Sequence, residues 1–498
     1  LAYRLDASTE RGDGWVDRGK HSRQGLTGAL QWQFLPRWQL QLSHAEGRHK
    51  PMRYFGVPLI DGKPLEALRR TNYNVQDARI TFRDHWSEMT LQGSPGDNIT
   101  VRSRLYHIRS NRLWFDAENY TWDVARQQIR LACDTAIRHH QKQTGNTTDV
   151  TFEGKLLGMD NAVSAGFDLN HSSLQHDNNT YTGNPRYVSL LSPETGFFDS
   201  DLPFIPRNTA DQYALFVEDR LAVTGQLSLV AGLRHDRARI RRDDLITGNR
   251  VFSRTWNSTG HRLGAVYALT PTLSVYAQHS RAADPSTAPL MMSASGAKAD
   301  MTIGRQIEVG IKQSLPQQRG EWTLAAYNIT KHNLQSRDPA NPENSIQVGK
   351  QSSRGIEGTL SLALSSTLRL DADATFLRAR YDDAVDGAIV SRRGNTPPDV
   401  PERLANLWLS WQMLPQWTLS GGARHVGKRH ANRANDLTLP AFTTADLALK
   451  WQPSDATTLA LHGHNIFNRH YYSTVYYNEK QWFVGESRRV LFTIDNRF

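Results

Sequence analysis

Apolar and polar side chains alternate along much of the chain, and the carboxyl-terminal segment shows this most clearly. Between residues 488 and 498, Val490, Phe492 and Ile494 share one parity, while Arg489, Thr493 and Asp495 share the other. Successive side chains of a β-strand point to opposite faces, so parity indicates the face on which a residue lies. One face of this segment is therefore apolar and aromatic, and the other is polar and charged.

Short turns alternate with long polar segments in the rest of the chain. The turn Leu35-Pro36-Arg37 separates two alternating runs, whereas residues 50–70, 177–209, 284–301 and 382–401 are long and polar. Short turns on one rim and long loops on the other are typical of bacterial outer-membrane barrels, with the short turns on the periplasmic side. The sequence therefore predicts an all-β chain that forms a large antiparallel transmembrane β-barrel of about 20 strands.

The predicted strands are bounded by these turns and loops. They cover residues 1–11, 24–34, 38–49, 74–92, 98–113, 134–157, 161–175, 210–222, 226–241, 256–268, 273–283, 303–314, 321–334, 346–364, 367–381, 403–413, 417–430, 440–452, 456–470 and 483–498. Many exceed the roughly ten residues that a bilayer requires, so we expect them to project beyond it. The segment from Arg126 to His140 shows no clean period.

Composition restricts the possible classes of protein. The mean hydropathy is −0.57, the net charge is +10 and the isoelectric point is about 9.6. A basic chain often binds nucleic acid, but no zinc-finger, RNP or helix-turn-helix signature is present, so we expect lipid phosphates or anionic ligands instead. Cys133 is the only cysteine, which excludes an intramolecular disulfide and a thiolate metal cluster.

Basic residues continue the apolar set on several strands that leave a short turn. Leu229 and Leu233, for example, are followed at the same parity by Arg237, Arg239 and Arg241. Outward-facing cations just above the bilayer would meet the phosphates of the outer leaflet, which predicts a lipopolysaccharide-binding collar. The alternative is a solvated charged rim. The predicted collar consists of Arg48, Lys50, Arg237, Arg239, Arg241, Arg378, Arg380 and Arg429.

The carboxyl-terminal motifs resemble the closing hairpin of TonB-dependent outer-membrane receptors. These motifs are Asn465-Ile466-Phe467-Asn468-Arg469-His470-Tyr471, then Gly485-Glu486-Ser487-Arg488, then the aromatic end at Phe498. Further segments resemble the ferric-siderophore branch of that family. They are Gly232-Leu233-Arg234-His235-Asp236, Ile307-Glu308-Val309-Gly310-Ile311-Lys312, Ala325-Ala326-Tyr327-Asn328-Ile329-Thr330, Ser353-Arg354-Gly355-Ile356-Glu357 and Val400-Pro401-Glu402-Arg403.

The resemblance implies a receptor that takes up a ferric siderophore across the outer membrane of a Gram-negative bacterium, energised through the TonB complex. Such receptors have an amino-terminal plug and a barrel of 22 strands. Here Tyr3-Arg4-Leu5 resembles the beginning of the third barrel strand. The resemblance therefore implies that residues 1–498 are barrel throughout and that the plug, which contacts TonB, is missing. We expect a monomer in contact with membrane lipid.

Ligand recognition would need aromatic surfaces and fixed charges on the long loops above the lumen. No family motif fixes ligand residues there, and each ring has the alternative of girdle or loop packing. The candidate ligand-binding residues are Arg53, Tyr54, Phe55, Trp114, Tyr120, Trp122, Tyr181, Tyr187, Phe197, Phe198, Tyr477 and Trp482. His462 and His464 share a strand face and could bind a metal ion, but no third ligand is identifiable, so we predict no metal site.

Several other functions are compatible with the same fold. A passive diffusion porin would lack the plug, and an adhesin or phage-binding surface would use the long loops. Haem, cobalamin or a zinc chelate could replace the ferric siderophore as ligand. We expect neither an enzyme nor a cofactor, because the chain contains no Gly-x-Ser-x-Gly, His-Glu-x-x-His or phosphate-loop motif, and iron would enter only as part of the siderophore.

Overall fold

The structure is a computed structural model, and it describes residues 1–132, 134–179, 185–200, 206–284, 300–337, 345–347, 349–386, 390–476 and 479–497. The regular structure of the described residues is almost entirely β, and two 3-10 turns, Glu66–Leu68 and Pro316–Gln318, lie in connections between strands. Among the residues described, no helix is both long and apolar enough to cross a membrane.

In the described part of the chain, twenty strands belong to one sheet. They are β1 (Ala2–Gly12), β2 (His21–Leu35), β3 (Trp38–Lys50), β5 (Arg79–Gly96), β6 (Ile99–Ala117), β9 (Asp134–Leu156), β10 (Met159–Asn178), β12 (Pro206–Ala222), β13 (Leu227–Asp244), β14 (Arg250–Thr270), β15 (Leu273–Ala283), β16 (Ile303–Leu315), β17 (Gly320–His332), β20 (Lys350–Ala363), β21 (Leu368–Asp383), β24 (Arg403–Leu414), β25 (Trp417–Val426), β28 (Phe442–Trp451), β29 (Thr457–His464) and β32 (Arg489–Asn496). All the strand pairs whose register is described are antiparallel, as predicted.

Short strands form separate small sheets in the long loops. They are β4 (Val57–Pro58), β7 (Tyr120–Asp123), β8 (Gln128–Leu131), β11 (Arg186–Val188), β18 (Gln335–Arg337), β19 (Ser345–Gln347), β22 (Val385–Asp386), β23 (Val390–Ser391), β26 (Arg429–His430), β27 (Thr438–Leu439), β30 (Tyr472–Val475) and β31 (Gln481–Val484). The segment from Arg126 to His140 contains β8 and the beginning of β9, and β8 pairs with β7 just before the segment. Two short elements in different sheets explain why the segment shows no single strand period.

The chain divides into two compact units. The first unit comprises Leu1–Leu263, Ser280–Gly304 and His332–Val348. Here β1, β2, β3, β5, β6, β9, β10, β12 and β13 pair in chain order. The two-residue turn between β9 and β10 sets the register of that pair, because Leu157 and Gly158 both have positive φ, 52° and 83°.

The second unit comprises Gly264–His279, Arg305–Lys331 and Gly349–Phe498. In this unit β20, β21, β24, β25, β28, β29 and β32 pair in chain order. The predicted strand 417–430 is too long, because β25 ends at Val426 and Arg429–His430 form the separate strand β26, which pairs with β27.

Two further predicted strands are also too long. The strand predicted at 456–470 ends at His464, because Asn465 and Asn468 adopt positive φ, 46° and 51°. The Asn465 side chain then holds the turn, since its Nδ2 donates to the Arg469 and Glu486 carbonyls at 2.9 and 2.8 Å. The strand predicted at 483–498 divides into the end of β31 and the separate strand β32.

One face of the sheet is apolar, and its apolar side chains are exposed to the surroundings. On β13, Leu229 and Leu233 are 43% and 57% exposed; on β32, Phe492 is 57% exposed. We call the face bearing these residues the apolar face. The opposite face is polar, and Arg234 there forms ion pairs with Asp168 and Asp236. A sheet with exposed apolar side chains on one face and ion pairs on the other matches the predicted contrast between lipid and water.

Candidate ligand-binding site

Five rings follow one another across neighbouring strands at the ends remote from the short turns. They are His49 on β3, Phe82 on β5, Trp114 on β6, His139 on β9 and His176 on β10, and we call them the ring ladder. Their consecutive centroid distances are 5.9, 5.0, 5.1 and 4.7 Å. Five strands span about 19 Å at the usual strand spacing, so the ladder is a continuous aromatic surface of that width.

The ring ladder lies on the polar face of the sheet. His49 has the parity opposite to Leu42, and the register pairs it with Phe82. All five rings are half-buried, so each keeps part of its surface available. The Arg112 guanidinium lies 5.4 Å from the centroid of the Phe82 ring and adds a fixed positive charge. The ladder thus combines aromatic surface with a cation.

The last two rings of the ladder share a hydrogen bond. The distance from His139 Nε2 to His176 Nδ1 is 2.6 Å, so one nitrogen donates and the other accepts. Burial, together with the neighbouring His176 and Arg112, lowers the pKa of His139 to about 4. The His139 ring is therefore uncharged at physiological pH.

A second aromatic cluster is built on the loop strands β7, β8 and β11. Tyr120, Ile129 and Leu131 are fully buried there, and the Tyr73 ring lies 5.7 Å from Tyr120. The Tyr73 hydroxyl donates to the Leu190 carbonyl at 2.6 Å and thereby ties this cluster to the loop that follows β11. Burial raises the pKa of Tyr120 well above its usual value, so its hydroxyl stays protonated and donates to the Ala117 carbonyl.

Arginine and aromatic side chains also meet at the rim of this cluster. The Arg126 guanidinium lies 4.4 Å from the centroid of the Tyr187 ring. Phe198 stacks on Phe115 with a centroid distance of 5.2 Å, and Phe197 beside it is 64% exposed. Of the predicted ligand residues, Tyr187, Phe197 and Phe198 therefore lie on one continuous loop region whose rings are at least partly accessible.

Other predicted ligand residues support the loops rather than face a ligand. Tyr54, Tyr120 and Trp482 are 6%, 0% and 3% exposed, so other side chains cover their rings. Arg53 donates to the carbonyls of Ala78 and Arg18 at 3.2 and 3.4 Å. The three buried rings therefore have little surface to offer a ligand, and the half-buried Arg53 is held by its hydrogen bonds to the loop backbone.

The remaining predicted ligand residues divide into partly accessible rings and residues that are not described. Trp114 belongs to the ring ladder, Phe55 is half-buried, and Trp122 Nε1 donates to Asp61 at 3.0 Å. Tyr181 and Tyr477 lie outside the described residues.

Sequence reasoning missed most of the ring ladder. His49, Phe82, His139 and His176 were not candidates, because their parity alone did not show that they lie side by side. A signal was present: the turn at Leu157 and Gly158 fixes the β9–β10 register and pairs His139 with His176. His462 and His464 belong to no group of three mutually close metal donors among the described residues, although Asp446 Oδ2 lies 3.6 Å from His464 Nδ1.

The predicted cationic collar is mostly where parity placed it. Arg48, Lys50, Arg237, Arg239, Arg378 and Arg380 are exposed, and Arg241 is half-buried with its Nη2 2.8 Å from Asp211. The prediction for Arg429 is wrong. This residue is 6% exposed and lies on β26, after the end of β25, where its guanidinium donates to Asp399 and to the Ser473 carbonyl at 2.7 Å and to the Tyr472 carbonyl at 2.9 Å.

Comparison with known proteins establishes the family. A family model described as TonB dependent receptor-like, beta-barrel matches residues 53–466. The chain belongs to this family. The fold is therefore the predicted antiparallel transmembrane β-barrel of the outer membrane of Gram-negative bacteria, with the short turns periplasmic and the ring ladder near the extracellular rim.

Individual relatives are distant but cover the whole chain. The metal-pseudopaline receptor CntO of Pseudomonas aeruginosa is 24% identical over 99% of this chain and 71% of its own length. The ferrioxamine receptor of Yersinia enterocolitica is 24% identical over 100% of this chain and 71% of its own length. The crystal structure of the siderophore receptor PiuA from Acinetobacter baumannii superposes with a TM-score of 0.86 at 16% identity, over 100% of this chain and 77% of that one.

Proposed function

We propose that this chain is the barrel of an outer-membrane receptor that takes up a ferric siderophore and is energised through TonB. The observation that carries the proposal is the ring ladder, which offers an aromatic surface about 19 Å wide beside the Arg112 cation near the extracellular rim. Stacking on flat ligand groups and attraction of anionic oxygens are the two contacts that such a surface provides. Relatives named as ferrioxamine and metal-pseudopaline receptors support the same ligand class.

The proposed receptor changes no covalent bond of its ligand. We propose that it is not an enzyme and has no cofactor of its own, since iron arrives inside the siderophore. It would work as a monomer, bind no nucleic acid and contact the TonB complex through a plug. The candidate ligands are hydroxamate, catecholate and mixed siderophores, and a haem, cobalamin or zinc chelate is the alternative.

Growth under iron limitation tests the proposal. Cells that carry the full-length gene, and no other receptor for the added ligand, would receive purified siderophores one at a time. We expect at least one siderophore to restore growth, and only in cells with functional TonB. Equal growth without TonB would favour the alternative of a passive porin.

Substitution of the ladder connects this growth to the proposed site. Phe82→Ala and Trp114→Ala each remove one ring, and we expect each to raise the siderophore concentration needed for growth by about tenfold. Trp32→Ala is the matched control, because Trp32 is an equally large ring that is 50% exposed on the apolar face near a short turn. An equal effect of all three substitutions would contradict the ladder as binding surface.

We further propose that the exposed cations of the collar bind lipopolysaccharide phosphates. Arg237 and Arg239 follow Leu233 on the apolar face, so they stand directly beyond the hydrocarbon boundary. We expect Arg237→Gln combined with Arg239→Gln to reduce the lipopolysaccharide that remains bound after detergent extraction. Arg102→Gln, at an exposed position on the polar face of β6, is the control. Unchanged retention in the double variant would support a merely solvated rim.

A further inference from the structure

Two histidines and a glutamate meet on the apolar face where the apolar residues of β3 and β5 end, while Leu26 of β2 is paired with Glu46. His44 and Glu46 are two residues apart on β3, and the register places His85 of β5 directly opposite Glu46. Leu42 and Met89 form the preceding pair of apolar residues on the same face. The three polar side chains are 52%, 53% and 41% exposed, so solvent reaches them all.

The donor atoms of these residues are spaced like ligands of one metal ion. Glu46 Oε1 lies 3.4 Å from His44 Nε2 and 3.3 Å from His85 Nδ1. All three donor atoms lie within 4.8 Å of one another. Tetrahedral Zn²⁺ with bonds of about 2.05 Å requires ligand–ligand distances of about 3.4 Å, which two of the three distances already match. Half-exposed side chains can rotate to shorten the third.

A neighbouring hydroxyl orients one of the imidazoles. His44 Nδ1 lies 2.8 Å from Ser87 Oγ, so Nδ1 can donate its proton to the hydroxyl and leave the Nε2 lone pair directed toward Glu46. Metal-bound histidines are commonly held in this way through their second nitrogen, which fixes the tautomer and the ring plane. The hydrogen bond therefore prepares His44 to bind a metal ion through Nε2.

The surroundings distinguish this group from the other histidines of the apolar face. His107, His235 and His425 also bond to hydroxyls, those of Thr144, Thr259 and Thr443, at 2.8–3.0 Å. Within the described part of the chain, however, only the group of His44, Glu46 and His85 brings three possible metal donors together. Three cations border this group: Arg109 of β6 is paired directly with His85, and Arg48 and Arg83 are paired with each other one row further from the apolar band.

We propose that His44, Glu46 and His85 bind one divalent transition-metal ion of the zinc type, with a water molecule as fourth ligand. Two imidazole nitrogens and one carboxylate oxygen suit Zn²⁺, Co²⁺, Ni²⁺ or Cu²⁺, whereas Mg²⁺ and Ca²⁺ prefer oxygen donors alone. The site lies on the outer surface at the boundary between hydrocarbon and head groups. It is separate from the ring ladder and does not depend on the proposed siderophore function.

Metal titration of the full chain in detergent micelles tests this site. Zn²⁺ binding would be measured by competition with a chromophoric chelator, and Co²⁺ binding by its visible absorption. We expect one site at micromolar Zn²⁺ and a tetrahedral Co²⁺ spectrum. His44→Ala and His85→Ala should each weaken this binding at least a hundredfold, and Ser87→Ala should weaken it about ten- to a hundredfold through the lost orientation. Folding of each variant is checked by its heat-dependent migration in gels.

His235→Ala is the matched control, because His235 is likewise exposed on the apolar face and bonded to a hydroxyl, that of Thr259, but lies on β13 and belongs to no three-donor group among the described residues. We expect it to leave the Zn²⁺ affinity and the Co²⁺ spectrum unchanged. Equal loss in the control, unchanged binding in His44→Ala or His85→Ala, or an octahedral Co²⁺ spectrum would overturn the proposal. Competition by millimolar Ca²⁺ would also overturn it, since an all-oxygen site would then be responsible.

Discussion

Among single residues, the local course of the chain determines whether an arginine is exposed or buried. Arg237 and Arg429 both follow apolar residues in a strand-like sequence pattern, yet Arg237 is exposed while Arg429 is buried among acceptors. Parity places a side chain correctly only while the strand continues. Because β25 ends at Val426, parity carries no information about Arg429.

Replacement of Arg429 tests its buried role. Arg429→Gln leaves Asp399 and the Tyr472 and Ser473 carbonyls without their charged donor. The Arg429 side chain is 6% exposed and the Asp399 side chain 35% exposed, so the loss of these charge-assisted hydrogen bonds costs about 2 kcal/mol, and we expect a fall in the thermal unfolding temperature. Lys428→Gln, at the exposed neighbouring position, should leave that temperature unchanged. Equal stability of the two variants would contradict the buried role.

The histidine pair of the ring ladder predicts a pH dependence. The pKa of His139 is about 4 in the folded chain and near 6.5 in an unfolded one, so the unfolded state binds more protons in between. The contribution of His139 to stability is therefore complete above pH 6.5 and is lost as the pH falls toward 4. His139→Phe removes this dependence.

As the pH falls from 7.5 to 4.5, we expect the unfolding temperature of the wild type to fall by more than that of His139→Phe. Thermal scans in one detergent at both pH values measure it. His107→Phe serves as control for loss of any exposed histidine. A difference that does not change with pH would show that His139 titrates normally.

At the scale of strands, the sequence allowed most of the sheet to be predicted. Alternation and turns predicted the strand at 273–283 with the bounds that β15 has. Strand ends were less accurate, since residues such as Asn465 leave the extended region to make side-chain turns that alternation does not encode. The loop contacts, such as Tyr73 with Leu190, join residues far apart in sequence and have no local pattern.

The two faces of β32 predict opposite responses to charge. Phe492 faces the apolar side and pairs with Leu461, whereas Thr493 faces the polar side near His462. An arginine in lipid near the middle of the bilayer costs about 2–4 kcal/mol, but an arginine in the lumen does not. We therefore expect Phe492→Arg, and not Thr493→Arg, to reduce the amount of heat-modifiable folded protein in the outer membrane. The reverse order would mean that the faces are exchanged.

For the molecule as a whole, the division between a lipid-facing and a water-facing side of the sheet explains both the positive net charge and the low mean hydropathy. Exposed cations beyond the apolar band include Arg48, Arg239 and Arg378, and they add to the net charge of +10. The low mean hydropathy follows because lipid contacts only alternate residues of each strand. Both proposals for ligands use this division, since the ring ladder lies on the aqueous face and the metal site lies at the edge of the lipid face.

Spin labels placed singly from residue 227 to 241 of β13 test this division most directly, in the full chain reconstituted into bilayers. Accessibility to oxygen reports lipid, and accessibility to a water-soluble nickel complex reports the aqueous phase. We expect labels at 229, 231 and 233 to favour oxygen, labels at 230, 232 and 234 to favour nickel, and labels from 237 onward to favour nickel at both parities. A period of 3.6 residues, or uniform accessibility throughout, would contradict the account.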